Sequence, residues 1–389
     1  MRVKDIQHKS KNRIEVTYSS TLGIQTFGTD NLYPQMLRRI IDGSPTGASC
    51  LRRYSRFIEG DGLRDESLSA LVCNRRGETL DDIHRAVSSD LAMYGGFALH
   101  IGYNVFCQVC DISVIPFEAC RLSEPDDSGY VSKVVIHPDW TGQKTRSGKK
   151  MSVKKENCQY VDVFNPLPSV VAEQIEACGG VDYYAGQVLY IGTNGRNAYP
   201  ISRADDVITE MSTDEGLANV KYRNVRNNFL PSGMLVTKKG QGSVNEDPYN
   251  RRDEFDETLQ HFQGDTNACK MLQVELETDE DKPEWIPFIT NNYDKQYDVT
   301  EQSVTERIYA AYGQEPWYCI RIGKVGFSGD ITSDAFSVYN SEVAPEQRLI
   351  ERVLKRTMSY WYDILPSKDF SISPLIYKSN EPDTPTITA

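Results

Sequence analysis

The chain has 389 residues, 39% of them hydrophobic and 25% charged, and a formal net charge of -12 from 43 basic against 55 acidic side chains. That length can bury a sizeable core in two or three domains, and the acid surplus argues against a tight, sequence-reading DNA binder, which needs excess cations to neutralise phosphates. There is no apolar run of about 18 residues to cross a membrane. The basic start MRVKDIQHKSKNR also lacks the apolar centre of a secretory signal, so a cytoplasmic chain is expected.

The elements are read in chain order. TDNLYPQMLRRIIDG and SPTGASCLRRYSRFIEG predict two short helices, the first with Pro34 in its opening turn and the second starting at Ser44-Pro45 and ending at Gly60. TLDDIHRAVSSDLAMYGG predicts a third, capped by Thr79 with Asp82 and stopped at Gly95-Gly96. From Phe97 to Gly192 the apolar period falls to two, giving candidate strands FALHIGY, VFCQVCDISVIP, YVSKVVIHP, CQYVDVF and QVLYIG.

After these strands, ISRADDVITEM and STDEGLANVKYRNVRNNFL read as helix, with Ser212 and Glu215 as a capping box opening the second part. A strand MLVTK, a helix DPYNRRDEFDETLQHFQG, and strands KMLQVEL and EWIPFI then form a compact βαββ module. A long helix follows over NNYDKQYDVTEQSVTERIYAAYG. Next comes a segment with Gly323, Gly326 and Gly329 at every third position, then a last helix from Ser333-Asp334 to about Tyr362, kinked by Pro345. The tail SNEPDTPTITA reads as disordered.

Chemical motifs are sparse. Nine cysteines, an odd number without framework spacing, fit a reducing compartment. Only Cys107 and Cys110 have C-x-x-C spacing. On the predicted strand they face opposite sides, so buried thiols are expected there rather than zinc. The five histidines form no i,i+4 pair, and His100 reads as packing. Gly323-Lys324 is followed by Val325, which breaks the P-loop pattern. The glycine triplet is not G-x-G-x-x-G, and Ser328 lacks the nucleophile elbow. Asp205-Asp206 and Glu277 to Asp281 could hold a metal but read as turns or solvated faces. Neither a catalytic constellation nor a cofactor is expected.

The order helix, βαββ module, helix, glycine-rich segment, kinked helix predicts an antiparallel stalk carrying a small head. With NLYP, YPISR, DEGLANVKYRNVRNNFLPSGMLV, FQGDTNACKMLQV, ERIYAAYGQEP and AFSVYNSEVAPEQRLIERVL, in that order, the chain resembles the portal proteins of tailed double-stranded-DNA bacteriophages from about residue 30 to 362. It departs from them in QEPWYCIRIGKVGF, which is longer and more aromatic than the usual short turn, and the C-terminal crown helices of larger portals are expected to be missing.

The resemblance implies an α+β fold with a mixed α/β wing (1–202 and 334–380), two antiparallel stem helices (203–230 and 292–313), a βαββ clip (231–290) and a tunnel loop (314–333). It further implies a homo-oligomeric ring, typically a dodecamer, at one capsid vertex of a virion assembled in a bacterial cytoplasm. Double-stranded DNA would run through the channel. Terminase, head-completion or neck adaptors, and major capsid and scaffold proteins would be partners, with no membrane contact.

In that frame Arg321, Lys324, Trp317, Tyr318 and Phe327 would touch DNA, and Gly313, Gly323, Gly326 and Gly329 would act as loop hinges. Stem residues Lys221, Arg223 and Arg226 would pair between subunits with Asp298 and Glu301. The alternatives are another virion head–tail protein (an adaptor or minor capsid protein), a nucleic-acid-binding module, or an enzyme such as a packaging ATPase or a metal-dependent nuclease using Asp205.

Overall fold

The structure is a computed structural model that describes residues 14, 16–127, 129–142, 152–193, 198–226, 233–238, 272–276, 284–287, 293–324, 329–363 and 368–377. It divides into two units, one formed by Met1–Met211 with Glu306–Ala389 and the other by Ser212–Thr305.

In the first unit, a two-residue hairpin (β1 Tyr18–Ser19, β2 Ile24–Gln25) leads into α1 Tyr33–Gly43 and α2 Pro45–Glu59. Proline opens both helices, where its missing N–H costs nothing. The Ser44 side chain accepts from the Gly47 N–H, and Gly60 ends α2 at φ +67°, a left-handed angle that glycine adopts without strain. After α3 Glu66–Ser69, α4 Leu80–Tyr94 starts at the predicted capping box: Thr79 and Asp82 satisfy each other's backbone N–H groups. It stops at Gly95, φ +71°.

Six strands follow: β3 Gly96–Tyr103, β4 Val109–Ile115, β5 Cys120–Leu122, β6 Lys133–Ile136, β7 Gln159–Val163 and β8 Gln187–Gly192. They form one sheet in the order β4-β3-β8-β7-β6-β5. Only β7 and β8 run parallel. They are joined through α5 Pro168–Ala177, as a parallel pair requires a crossover. β3 lies inside the sheet with Phe97, Ala98, Leu99 and Ile101 fully buried, which explains its nearly unbroken apolar run. Helix α4 packs on β3 and α2.

All five predicted strands are present, but the second is shorter than its reading. Val105 to Gln108 form the hairpin turn before β4, with Cys107 at φ +58° and Asn104 Oδ1 accepting from the N–H groups of Phe106 and Gln108. Cys107 therefore sits in a turn and not on a strand. All eight cysteines among the described residues are free.

The sheet's far edge is tied to the first helices by Arg121, whose residue is fully buried. Its guanidinium donates to Asn31 Oδ1 (2.6 Å), to the Asn31 carbonyl (2.6 Å) and to the carbonyls of Glu118 (2.9 Å) and Cys120 (2.7 Å). It also lies 5.0 Å from the Trp140 ring and 5.6 Å from Phe27. Tyr199, stacked on Phe27 at 4.0 Å, donates to the Gln25 carbonyl and accepts from the Leu122 N–H.

The remaining helices are α6 Ile208–Arg226, α7 Tyr293–Ala311, α8 Glu315–Arg321 and α9 Gly329–Met358. α6 runs unbroken through Ser212, so the Ser212/Glu215 pair does not start a helix. The start lies at a 3-10 turn, Arg203–Val207, capped by Ser202. α9 begins at Gly329 and ends at Met358, earlier at both ends than expected. Pro345 stands inside it, unable to donate to the Ser341 carbonyl. α9 packs along α2.

In the second unit, strands β9 Gly233–Lys238, β10 Leu272–Leu276 and β11 Glu284–Pro287 form a sheet in the order β10-β9-β11. β9 and β10 are parallel with Met234 opposite Leu272, and β9 and β11 are antiparallel with Leu235 opposite Trp285. The predicted helix between the first two strands, and the acidic run 277–281, lie outside the described residues. The architecture is the α+β class read from the sequence, with a long C-terminal helix.

Candidate functional site

The residues proposed for function fall on α6 and α7, most of whose length belongs to the second unit, and on the segment that follows α7. Glu210 on α6 accepts from Arg307 on α7 at 3.2 Å, and Lys221 on α6 pairs with Glu301 on α7. The later α6 residue meets the earlier α7 residue, so the helices run antiparallel. Lys221 and Glu301 therefore have a partner within their own chain. These pairs are solvent-exposed and contribute on the order of 0–1 kcal/mol each. Asp298 is exposed on α7, and the side chains of Arg223 and Arg226 lie outside the described residues.

The turn after α7 differs from its reading. A flexible loop over 314–333 is expected; instead residues 315–321 form α8, with Pro316 in its first turn. Gly313 turns the chain at φ +63°, a left-handed angle that favours glycine, and a methyl group there would make only ordinary contact with the Glu342 side chain at 3.4 Å.

The next residue, Gln314, is 1% exposed and uses its whole amide. Its Nε2 donates to the Cys50 carbonyl (2.8 Å) and to Tyr339 Oη (2.8 Å), while its Oε1 accepts from Arg53 at 3.0 Å. Tyr339 in turn donates to the Tyr312 carbonyl. One side chain thus binds α2, the α7–α8 turn and α9 together. The chain beside Gly313 is thus tethered through Gln314, and nothing in the sequence pattern singles out Gln314.

Two of the proposed DNA-contacting aromatics serve packing. Tyr318 is buried, 5.6 Å from the Tyr309 ring. Trp317 is half-buried among Phe57, Phe336 and Tyr339, at 6.0, 5.6 and 6.1 Å. Arg321 and Lys324 are exposed at the end of this segment, and Arg321 reaches Tyr309 Oη at 3.4 Å. Gly323 follows α8 at φ +70° with open space around it. Gly329 is the first residue of α9, and Gly326 and Phe327 lie outside the described residues.

A polar cluster braces the same region from behind. Arg203 donates to Glu342 (3.0 Å) and Glu346 (3.1 Å) and lies 4.8 Å from the Tyr54 ring. Tyr54 donates to Glu346 at 2.8 Å. Burial, then the Glu346 carboxylate, hold the Tyr54 hydroxyl well above its ordinary range. Burial pulls the Arg203 guanidinium down, but Tyr54, Glu346 and Glu342 outweigh it and raise it.

Asp205, the nuclease candidate, is buried and accepts from Tyr33 Oη at 2.8 Å in the turn that opens α6. That contact accounts for it structurally. Among the described residues no three His, Cys, Asp or Glu side chains gather to hold a metal ion. No described helix is long and apolar enough to cross a membrane.

The fold is shared with a chain from the neck of a virus-like particle. The chain superposes on a chain in the neck of an empty gene transfer agent particle, computed with C6 symmetry, with a TM-score of 0.52 at 15% identity, over 88% of this chain and 84% of that one. A chain of the native gene transfer agent virion matches with a TM-score of 0.47 at 16% identity, over 87% and 82%. An HK97-family phage portal protein from Corynebacterium diphtheriae matches with a TM-score of 0.32 at 10% identity, over 69% and 72%. No protein-family model and no curated protein sequence matches the chain.

Proposed function

We propose that this chain is a portal-type subunit of a tailed-phage-like particle. Identical copies close into a ring at the junction of head and tail, and double-stranded DNA passes along the ring's axis. The observation that carries this reading is the shared fold with a particle-neck chain over 88% of this chain. The antiparallel pairing of α6 with α7, which flank the strands β9 to β11 in the chain, supports it. In this reading, the role is structural, and the unit 212–305 offers the docking surface for the packaging motor and later for neck proteins.

The net charge of -12 then has a physical use. DNA carries one charge per about 1.7 Å of axis, so a strongly basic bore would hold it, whereas an acidic one lets it slide. Contact with phosphates falls to Arg321 and Lys324, one pair per copy, which the ring repeats into a thin belt. Trp317 and Tyr318 drop out of that role because they pack inward.

Negative-stain imaging and mass photometry of the purified protein test the proposal. Closed rings with an open centre are expected; a monomer at all concentrations would refute it. Robust Mg²⁺-dependent cleavage of plasmid DNA, lost in Asp205→Ala, would instead favour a nuclease.

A further inference from the structure

Helix α2, helix α8 and the first turns of α9 enclose a groove of about 820 Å³ in the first unit. Its floor is aromatic: Phe336 lies 5.0 Å from Phe57, 5.6 Å from Trp317 and 5.8 Å from Tyr377. Its rim is cationic, with Arg52, Arg53 and Arg56 from α2 and Arg321 from α8. Arg53 is occupied by Gln314 and lies 5.5 Å from the Trp317 ring. Arg52 reaches only the Ala48 carbonyl of its own helix, and neither Arg52 nor Arg56 forms an ion pair among the described residues. Like charges one helical turn apart repel. Glu59, Asp61 and Asp81 share a smaller cavity with Arg56 but do not pair with it, so an outside acid between the two guanidiniums would relieve their repulsion.

The same helix offers a matching acid on its other side. Thr332 and Phe336 line the groove. At about 100° per residue, Asp334 and Val338 project from the opposite face of α9. Val338 is 61% exposed, and Asp334 is exposed with no hydrogen bond or ion pair among the described residues. Groove and flank therefore lie at one level of one helix, facing opposite ways. Two different complementary patches on one molecule are what a head-to-tail contact between copies needs, and such contacts close into rings when the rotation allows.

We propose that the α9 flank of one copy docks in the groove of the next, with Val338 against the aromatic floor and Asp334 between Arg52 and Arg56. This contact rests on the ring reading above and specifies one of its interfaces. A DNA backbone would satisfy the guanidiniums but leave the aromatic floor uncovered, so a protein flank carrying both an acid and an aliphatic side chain fits better.

A reciprocal charge exchange tests it. Arg52→Glu with Arg56→Glu sets acid against acid, and Asp334→Lys sets base against base. Each variant alone is expected to lose about tenfold or more of its assembled fraction by mass photometry, since like-charge juxtaposition across an interface is strongly unfavourable. Mixing the two in equal amounts restores both complementary contacts in alternation, and assembly should return. Val338→Asp, on an exposed position, should weaken assembly without changing the far-UV spectrum, which covers the case in which the arginine variant fails to fold.

If the wild type forms rings and the separate variants assemble equally well, this contact is refuted and the ring reading stands. Failure of the mixture to assemble also refutes it. A wild type that never associates overturns both. Salt-dependent binding of a short DNA duplex that Arg52→Glu with Arg56→Glu abolishes, with assembly unchanged, would assign the groove to DNA.

Discussion

Arginine does opposite work in two regions of this molecule. Around Arg121 every acceptor is supplied by the chain itself: two carbonyls beside it, the side chain and carbonyl of Asn31, and two aromatic faces. Arg52 and Arg56 line an open groove and form no ion pair among the described residues. A buried cation must be fully satisfied or the fold loses stability, whereas an exposed one costs little to leave open. The closed set is therefore where folding is sensitive, and the open set is where assembly or ligand contact is sensitive.

The largest effect is expected at Arg121. Arg121→Met roughly keeps the side-chain length but strips the donor from four carbonyl or amide oxygens, one buried and three partly buried, so a loss of about 3–5 kcal/mol is expected in urea unfolding. A loss under about 1 kcal/mol would show that the cage is not what ties the sheet edge to α1.

Asp90, beside that cage, gives a pH test. Burial holds its carboxyl at about 7, above the ordinary 3.8, with the Glu118 charge adding to the rise, while the Phe117 N–H and Arg38 oppose it. The folded state therefore keeps a proton that the unfolded chain has released between about pH 4 and 7. Stability should fall as pH rises through that window and level off above it. Asp90→Asn mimics the protonated form. It should be more stable at pH 8, by on the order of a few kcal/mol, and little changed near pH 4. Thermal melts across pH 4–8 read this directly; an unchanged slope would mean that Asp90 ionises normally.

These two regions also explain what was legible in advance. The Thr79–Asp82 cap and the glycine stops of α2 and α4 depend on residues a few positions apart, so local spacing reveals them. β3 was equally plain, because a fully buried strand is apolar along most of its length. Arg121 was invisible: its strand has three residues, too few to show a period, and its partner Asn31 is ninety positions away.

Gln314 was missed for the same reason, since Cys50 and Tyr339 converge on it only in three dimensions. The helix α8 could have been read, because Gly313 followed by Pro316 is a stop and a start in four residues. The glycines at 323, 326 and 329 all fall after it in the sequence, so the freedom they allow does not extend to residues 315–321, which are helical. At the candidate site, Arg321 and Lys324 are exposed, whereas Trp317 is half-buried and Tyr318 buried.

Gln314 sits where the closed and open sets meet. Gln314→Ala frees Arg53 and leaves Tyr339 Oη and the Cys50 carbonyl each short of a partner, so a loss of about 1–3 kcal/mol is expected in chemical unfolding. Gln314→Glu keeps the acceptor for Arg53 but offers no donor, and should recover only part of that loss. Equal stability of wild type and Gln314→Ala would restore a loosely held turn and, with it, a mobile hinge at Gly313.

The smallest effect on folding, and the sharpest on function, is expected from Arg321→Ala with Lys324→Ala. Both side chains are exposed, so stability should change by no more than about 0.5 kcal/mol. Ring assembly should survive, because the floor of the groove and Arg52, Arg53 and Arg56 remain. Packaging or retention of DNA in particles built with the variant should drop, since the belt of cations proposed to face the duplex is gone. Raising salt should mimic the variant in wild-type particles and add little to the variant itself. If rings fail to form while the monomer melts normally, Arg321 belongs to the contact between copies and not to the channel; if packaging is unchanged, DNA is guided by something other than this segment.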